Sequence, residues 1–182
     1  NGVTLKMQNA WQMTNYQVNM ATMIQLGKWF DYMRENDVYD NTRIIIASDH
    51  AYFGYQLDEL LYNDAHFALK DLALFYPLLL VKDFGSEEFT TSTEFMTQAD
   101  VPTLAVDSLI ENPVNPFTGK EINNDEKYAH DQYVIYSWEY DIAINNGNAF
   151  IPSKWYKVSE NIWDLNNWTL LDEVTTMPEE CK

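Results

Sequence analysis

Thr42-Arg43-Ile44-Ile45-Ile46-Ala47-Ser48-Asp49-His50 is the stretch on which the fold turns. Apart from Arg43, its first seven residues are β-branched or small, and they are too few for a helix, which predicts a strand over 42–48. The strand is apolar on both faces, the pattern of a central parallel strand. It ends in a carboxylate and an imidazole, side by side. Open α/β sheets hold their ligands beyond the carboxyl ends of the strands. Two adjacent, chemically different metal ligands at that place point to a metal site.

Upstream, residues 15–36 read as a helix, because Met20, Met23, Ile24, Gly27, Phe30 and Met33 recur at spacings of three and four. Downstream, residues 51–65 form a long aromatic and acidic loop, with one helical turn at 57–61. Such loops in compact domains are functional or mobile. Tyr76–Lys82 is a second apolar strand, with Pro77 at its start. Residues 84–93 are a Ser/Thr/Glu-rich loop, and residues 100–110 a helix with Asp100 as N-cap and Pro102 in the first turn. After the breaker Asn112-Pro113-Val114-Asn115-Pro116-Phe117-Thr118-Gly119 the character changes. Residues 133–140, 155–158 and 161–171 read as strands, with a turn at 145–148. The expectation is an α/β fold: a partial parallel or mixed sheet flanked by helices, with a small C-terminal antiparallel β subdomain. The division falls between residues 1–125 and 126–182.

The bulk composition narrows the functions. The 182 residues carry 28 acids against 11 bases, a formal charge of -17. Such a surface repels phosphate backbones and anionic membranes, so nucleic acid is excluded as a partner. It favours cations. One cysteine, Cys181, excludes an intrachain disulfide and a thiolate cluster. No apolar run approaches the ~20 residues of a membrane span, so no direct membrane insertion is expected. The start Asn1-Gly2-Val3-Thr4 has no signal-peptide character.

Four segments, in order, resemble a known superfamily. Tyr39-Asp40-Asn41-Thr42-Arg43-Ile44-Ile45-Ile46-Ala47-Ser48-Asp49-His50 resembles the strand-and-ligand segment of sulfatases and their relatives in the alkaline phosphatase superfamily, among them bacterial phosphoethanolamine and phosphoglycerol transferases of the lipoteichoic acid synthase type. Leu26-Gly27-Lys28-Trp29-Phe30-Asp31-Tyr32 resembles the family's preceding helix, Tyr76-Pro77-Leu78-Leu79-Leu80 its next strand, and Asp100-Val101-Pro102-Thr103-Leu104 a later helix start. The resemblance covers about residues 15–120. It implies a metal-dependent hydrolase or transferase acting on sulfate or phosphate esters. Asp49 and His50 would ligate the metal, and His66 and Lys70 would contact the ester. The family's nucleophile would precede residue 1. The chain would then be the C-terminal part of such a domain, partnered by its N-terminal half and inactive alone. By the same analogy the parent is a membrane-anchored bacterial protein with this part outside the cytoplasm. The divalent metal would be Mn2+, Zn2+ or Ca2+, incompletely held here. Carboxylate plus imidazole suits zinc or manganese, whereas calcium wants more oxygens. Where the family has Gly after the histidine, this chain has Ala51.

Each candidate has a plainer reading. Asp49 can be a strand-end cap with His50 beside it by chance; the flanking segments favour the metal. His66-x-x-x-Lys70 can be a solvated face, and His130 reads as a surface residue. Asp37, Asp40, Asp58, Glu59 and Asp64 read as a solvated acidic face. The Trp and Tyr residues of 133–168 read as core, with a sugar-stacking platform as the functional alternative. That platform, or a protein-interaction surface, would make the chain a non-catalytic binding module.

Overall fold

A computed structural model describes residues 4–51, 74–136 and 154–171. The chain divides into two compact units, residues 1–89 and 90–182. The 125/126 division expected from sequence falls within a short helix of the second unit.

The first unit opens with α1 (Ala10–Glu35). It begins five residues before the expected start because Asn9 caps it: the Asn9 side chain accepts from the Gln12 N–H at 3.0 Å. The expected apolar stripe faces inward only in part. Met33 is buried and Phe30 half-buried, but Met20, Met23 and Ile24 are exposed. After α1, residues 36–43 turn the chain into β1 (Ile44–Ala47). Asp37 adopts a left-handed φ of 57° at this turn.

β1 pairs with β2 (Leu79–Lys82), and here the structure corrects the sequence reading. The two strands run antiparallel, in the register Ile44↔Lys82 to Ala47↔Leu79, not parallel. Apolarity on both faces carries no information about direction. The pair is a two-stranded sheet, and no parallel sheet flanked by helices is present among the described residues. Side chains beside it pin its far end. The Arg43 guanidinium, with its side chain only 6% exposed, donates from Nε and Nη2 to Asp83 at 3.0 and 2.8 Å. The Phe84 backbone N–H and Arg43 together hold the Asp83 carboxyl below its usual range. Lys82 Nζ donates to the carbonyls of Tyr39 and Thr42, and lies 4.3 Å from the Tyr39 ring centroid.

In the second unit a 3-10 turn (Gln98–Asp100) leads into α2 (Val101–Val106). α2 ends sooner than expected, because Ser108 takes a left-handed φ of 60°. Leu109 and Ile110, which continue the apolar spacing, are left exposed. α3 (Asn124–Tyr128) precedes β3 (Gln132–Tyr136), β4 (Lys154–Val158) and β5 (Trp168–Leu170), in a three-stranded antiparallel sheet of order β3-β4-β5. This is the antiparallel C-terminal sheet expected from the sequence. Successive residues of a strand point to opposite faces, so the burial of both Trp155 and Tyr156 means that β4 is covered on both sides.

Candidate functional site

The site is built from the end of β1. Ser48 extends the pairing: its N–H donates to the Leu78 carbonyl at 3.0 Å, and its Oγ accepts from the Leu78 N–H at 2.8 Å. Three residues on, the Ala51 N–H donates to the Leu74 carbonyl at 3.1 Å. Asp49 and His50 are thus carried on a short span tied at both ends to residues 74–78.

Within that span the two side chains converge. Asp49 Oδ1 accepts from the His50 backbone N–H at 2.9 Å, and Asp49 Oδ2 stands 3.6 Å from His50 Nε2. His50 Nδ1 lies 2.7 Å from the Ala51 carbonyl oxygen. A carbonyl can only accept, so Nδ1 carries the proton and Nε2 of the neutral ring carries a lone pair. A backbone carbonyl behind one ring nitrogen is how metal-ligating histidines are oriented. Both side chains are open to solvent, at 59% for His50 and 87% for Asp49.

The spacing passes a metal test. Two donors each about 2.1 Å from a tetrahedral ion stand about 3.4 Å apart. The observed 3.6 Å is close to that separation. A lone pair facing a carboxylate at that distance is unfavourable unless a positive charge joins them, either a proton on the ring or a metal ion. Two donors do not by themselves make a metal site. Among the described residues no group of three or more His, Cys, Asp or Glu side chains is placed to hold an ion, and zinc wants at least three protein ligands.

Ala51 does not distort this arrangement. It is not among the residues with positive φ, so the position makes no demand that only glycine meets.

The other candidates fall as follows. His66 and Lys70 lie outside the described residues, as do Asp58, Glu59, Asp64 and Cys181. His130 is exposed just after α3, the surface position read from sequence. Asp37 and Asp40 are exposed too. Trp155, Tyr156 and Trp168 are buried in the second unit's core; Trp163 is exposed, with Nε1 donating to the Thr93 carbonyl at 3.2 Å. An open hollow of about 520 Å³ runs along Lys120–Glu126, but it is lined by one run of consecutive residues beside a turn. It lacks the convergence of groups from several elements that marks a ligand pocket.

Sequence reading gave Asp100 only the role of helix N-cap, and its side chain makes no capping bond to α2. It is 2% exposed. Its Oδ2 accepts from Lys127 Nζ at 2.7 Å, from the Thr97 N–H at 2.8 Å and from Thr97 Oγ1 at 3.0 Å, while Oδ1 accepts from Asn115 Nδ2 at 3.1 Å. Only Thr97-x-x-Asp100, a capping-box spacing, hints at this locally.

No family model, no curated protein and no solved structure matches this chain.

Proposed function

We propose that the chain carries the metal-ligating strand end of a sulfatase-like domain whose activity is metal-dependent hydrolysis or transfer at a sulfate or phosphate ester. The observation that supports this most is the Asp49–His50 pair: an oxygen and a nitrogen donor 3.6 Å apart at the end of β1, with the ring's other nitrogen tied to a backbone carbonyl. Asp49 supplies the anionic oxygen. His50 supplies Nε2, its tautomer set by Ala51. A divalent cation held there would neutralise charge on the ester oxygens. His66 and Lys70 are assigned to the ester by the family resemblance alone, as is a place outside the cytoplasm. No helix among the described residues is long and apolar enough to cross a membrane.

Calorimetric titration with Zn2+ or Mn2+ tests the reading. Two well-placed donors on a chain of charge -17 give saturable one-to-one binding, weakened at least about tenfold by His50→Ala. The lost ligand is the specific one, whereas the acidic background is untouched. Equal affinity in the variant would mean diffuse attraction to carboxylates and would refute the site. A parallel assay with an aryl phosphate and an aryl sulfate, in the presence of the same metals, tests the chemistry. Any turnover must be lost with Asp49→Ala; turnover that survives it would place the chemistry elsewhere.

A further inference from the structure

We propose that the Phe89–Thr90 bond is a processing site, cut by an endopeptidase whose specificity pocket takes an aromatic ring. The inference is independent of the metal site.

Residues 83–94 are all exposed, the longest such run among the described residues. The run follows β2 and crosses the boundary of the two compact units, which falls between Phe89 and Thr90. It is anchored at both ends. Upstream, the Ser86 N–H donates to the Asp83 carbonyl at 3.3 Å. Downstream, the Thr93 carbonyl accepts from Tyr128 Oη at 3.1 Å and from Trp163 Nε1 at 3.2 Å. Between the anchors Glu87, Glu88, Phe89, Thr90 and Thr91 make no hydrogen bond or ion pair with any described residue. Exposed polar segments at unit boundaries are where proteolytic nicking concentrates. The reason is geometric. A protein that grips an extended segment does so through the segment's own backbone groups. A segment already bonded in a helix, sheet or turn must first open, at a cost in free energy. Here five residues in a row have no such bond to break.

Phe89 selects the bond. Its side chain is 86% exposed, free to enter a pocket. No other described aromatic combines exposure with an unbonded backbone. Trp11, Trp29 and Tyr32 lie within α1. The N–H after Phe84, that of Gly85, donates to the Asp40 carbonyl at 3.0 Å. The N–H groups of Phe117 and Trp163 donate to the side chains of Asn115 and Asn161, each at 2.9 Å. No Lys or Arg lies between Lys82 and Lys120, so a pocket built for a base finds nothing there. Glu87 and Glu88 come just before the bond, so the enzyme's neighbouring subsites accept carboxylates. In the cut, water adds to the Phe89 carbonyl carbon and the bond to the Thr90 nitrogen breaks. The water oxygen stays in the new carboxylate of Phe89, and the new amine of Thr90 takes up the proton. Neither sheet is broken: β1 and β2 lie wholly before the cut, and β3, β4 and β5 wholly after it. The cut divides the unit that carries Asp49 and His50 from the aromatic-rich unit.

Limited digestion of the whole chain with chymotrypsin, with fragment ends read by mass, tests this. Cleavage at Phe89–Thr90 is expected before cleavage after Phe117 or Trp163, with the far-ultraviolet circular dichroism of the nicked chain unchanged. Phe89→Ala is expected to slow cleavage of that bond by about tenfold or more, because the ring that fills the pocket is gone. A Glu-specific endopeptidase is expected to cut after Glu87 or Glu88 in both chains, since the segment stays open. Survival of Phe89–Thr90 until the chain has been cut after Phe117 and Trp163 overturns the proposal. So does cleavage undiminished in Phe89→Ala, a segment that the Glu-specific enzyme leaves intact, or collapse of the circular dichroism on nicking.

Discussion

Replacing Asp100 by alanine is expected to lower the unfolding free energy of the second unit by about 3 kcal/mol. The carboxylate is 2% exposed and accepts four hydrogen bonds, one from the Lys127 ammonium, whose side chain is 18% exposed. Removing one partner of a buried ion pair costs about 3–5 kcal/mol, because the other charge stays in place without its counterpart. The partial exposure of Lys127 puts this case at the lower end. Lys127 also donates to the Phe95 carbonyl and to Asn124, so it holds several segments at once. The Asn115 amide that binds Asp100 also orders its own turn, with Oδ1 accepting from the N–H groups of Phe117 and Thr118. Losing the carboxylate therefore loosens residues 97–127 together.

The same group gives the unit a pH dependence. Burial raises the Asp100 carboxyl, but Lys127, the Thr97 N–H and Asn115 outweigh it, so the net shift is downward. A depressed native value means that the unfolded chain binds the proton more readily. The stabilisation is present above the unfolded value of about 3.9. It is lost as pH falls through the lower, native value. Denaturant melts of the wild-type chain and of Asp100→Asn should differ most near neutrality and converge in acid. A difference that persists below about pH 2 would show that the carboxylate's charge is not what matters.

Tyr156→Ala is expected to cost about as much or more, roughly 3–5 kcal/mol. Tyr156 is 1% exposed and sits on the central strand of the three-stranded sheet. Its ring meets Trp168 edge-on, with centroids 6.4 Å apart, and Trp168 in turn donates from Nε1 to the Ile162 carbonyl at 2.8 Å. Val158, on the same face of β4, is 2% exposed and pairs with Trp168. Truncation opens a cavity that a three-stranded sheet is too small to close by relaxation. Trp163→Ala is the control: the residue is 48% exposed, with Nε1 donating to the Thr93 carbonyl, so the loss should stay near 1 kcal/mol. Equal costs for the two would contradict this placement of the core.

Much of this was legible in the sequence, and the parts that were not share a cause. Spacing located α1, a β-branched run located β1, and aromatic density marked β4 and the antiparallel sheet. Local signals erred where the outcome depends on distant residues. β2 runs antiparallel to β1, and Ile44-Ile45-Ile46 carries no trace of that direction. The end of α2 at Val106 depends on a left-handed Ser108, without the Gly that would advertise a stop. Asp100 reads as the N-cap of the helix that follows, but its side chain makes no capping bond there; Lys127 and Asn115 reach it only in space. For the site, the placement of Asp49 and His50 at the end of β1 followed from the pattern alone. The orientation of the His50 ring did not, since it rests on the carbonyl of Ala51.

The central claim is that Asp49 and His50 take a cation together, in preference to the chain's other acids. Paramagnetic broadening by substoichiometric Mn2+, read residue by residue in an isotope-labelled chain, tests it most directly. The account predicts that the His50 imidazole and the Asp49 carboxyl resonances vanish first and that the broadening falls off with distance from the end of β1. Broadening spread evenly over the exposed carboxylates, with the His50 ring no more affected than that of His130, would contradict it.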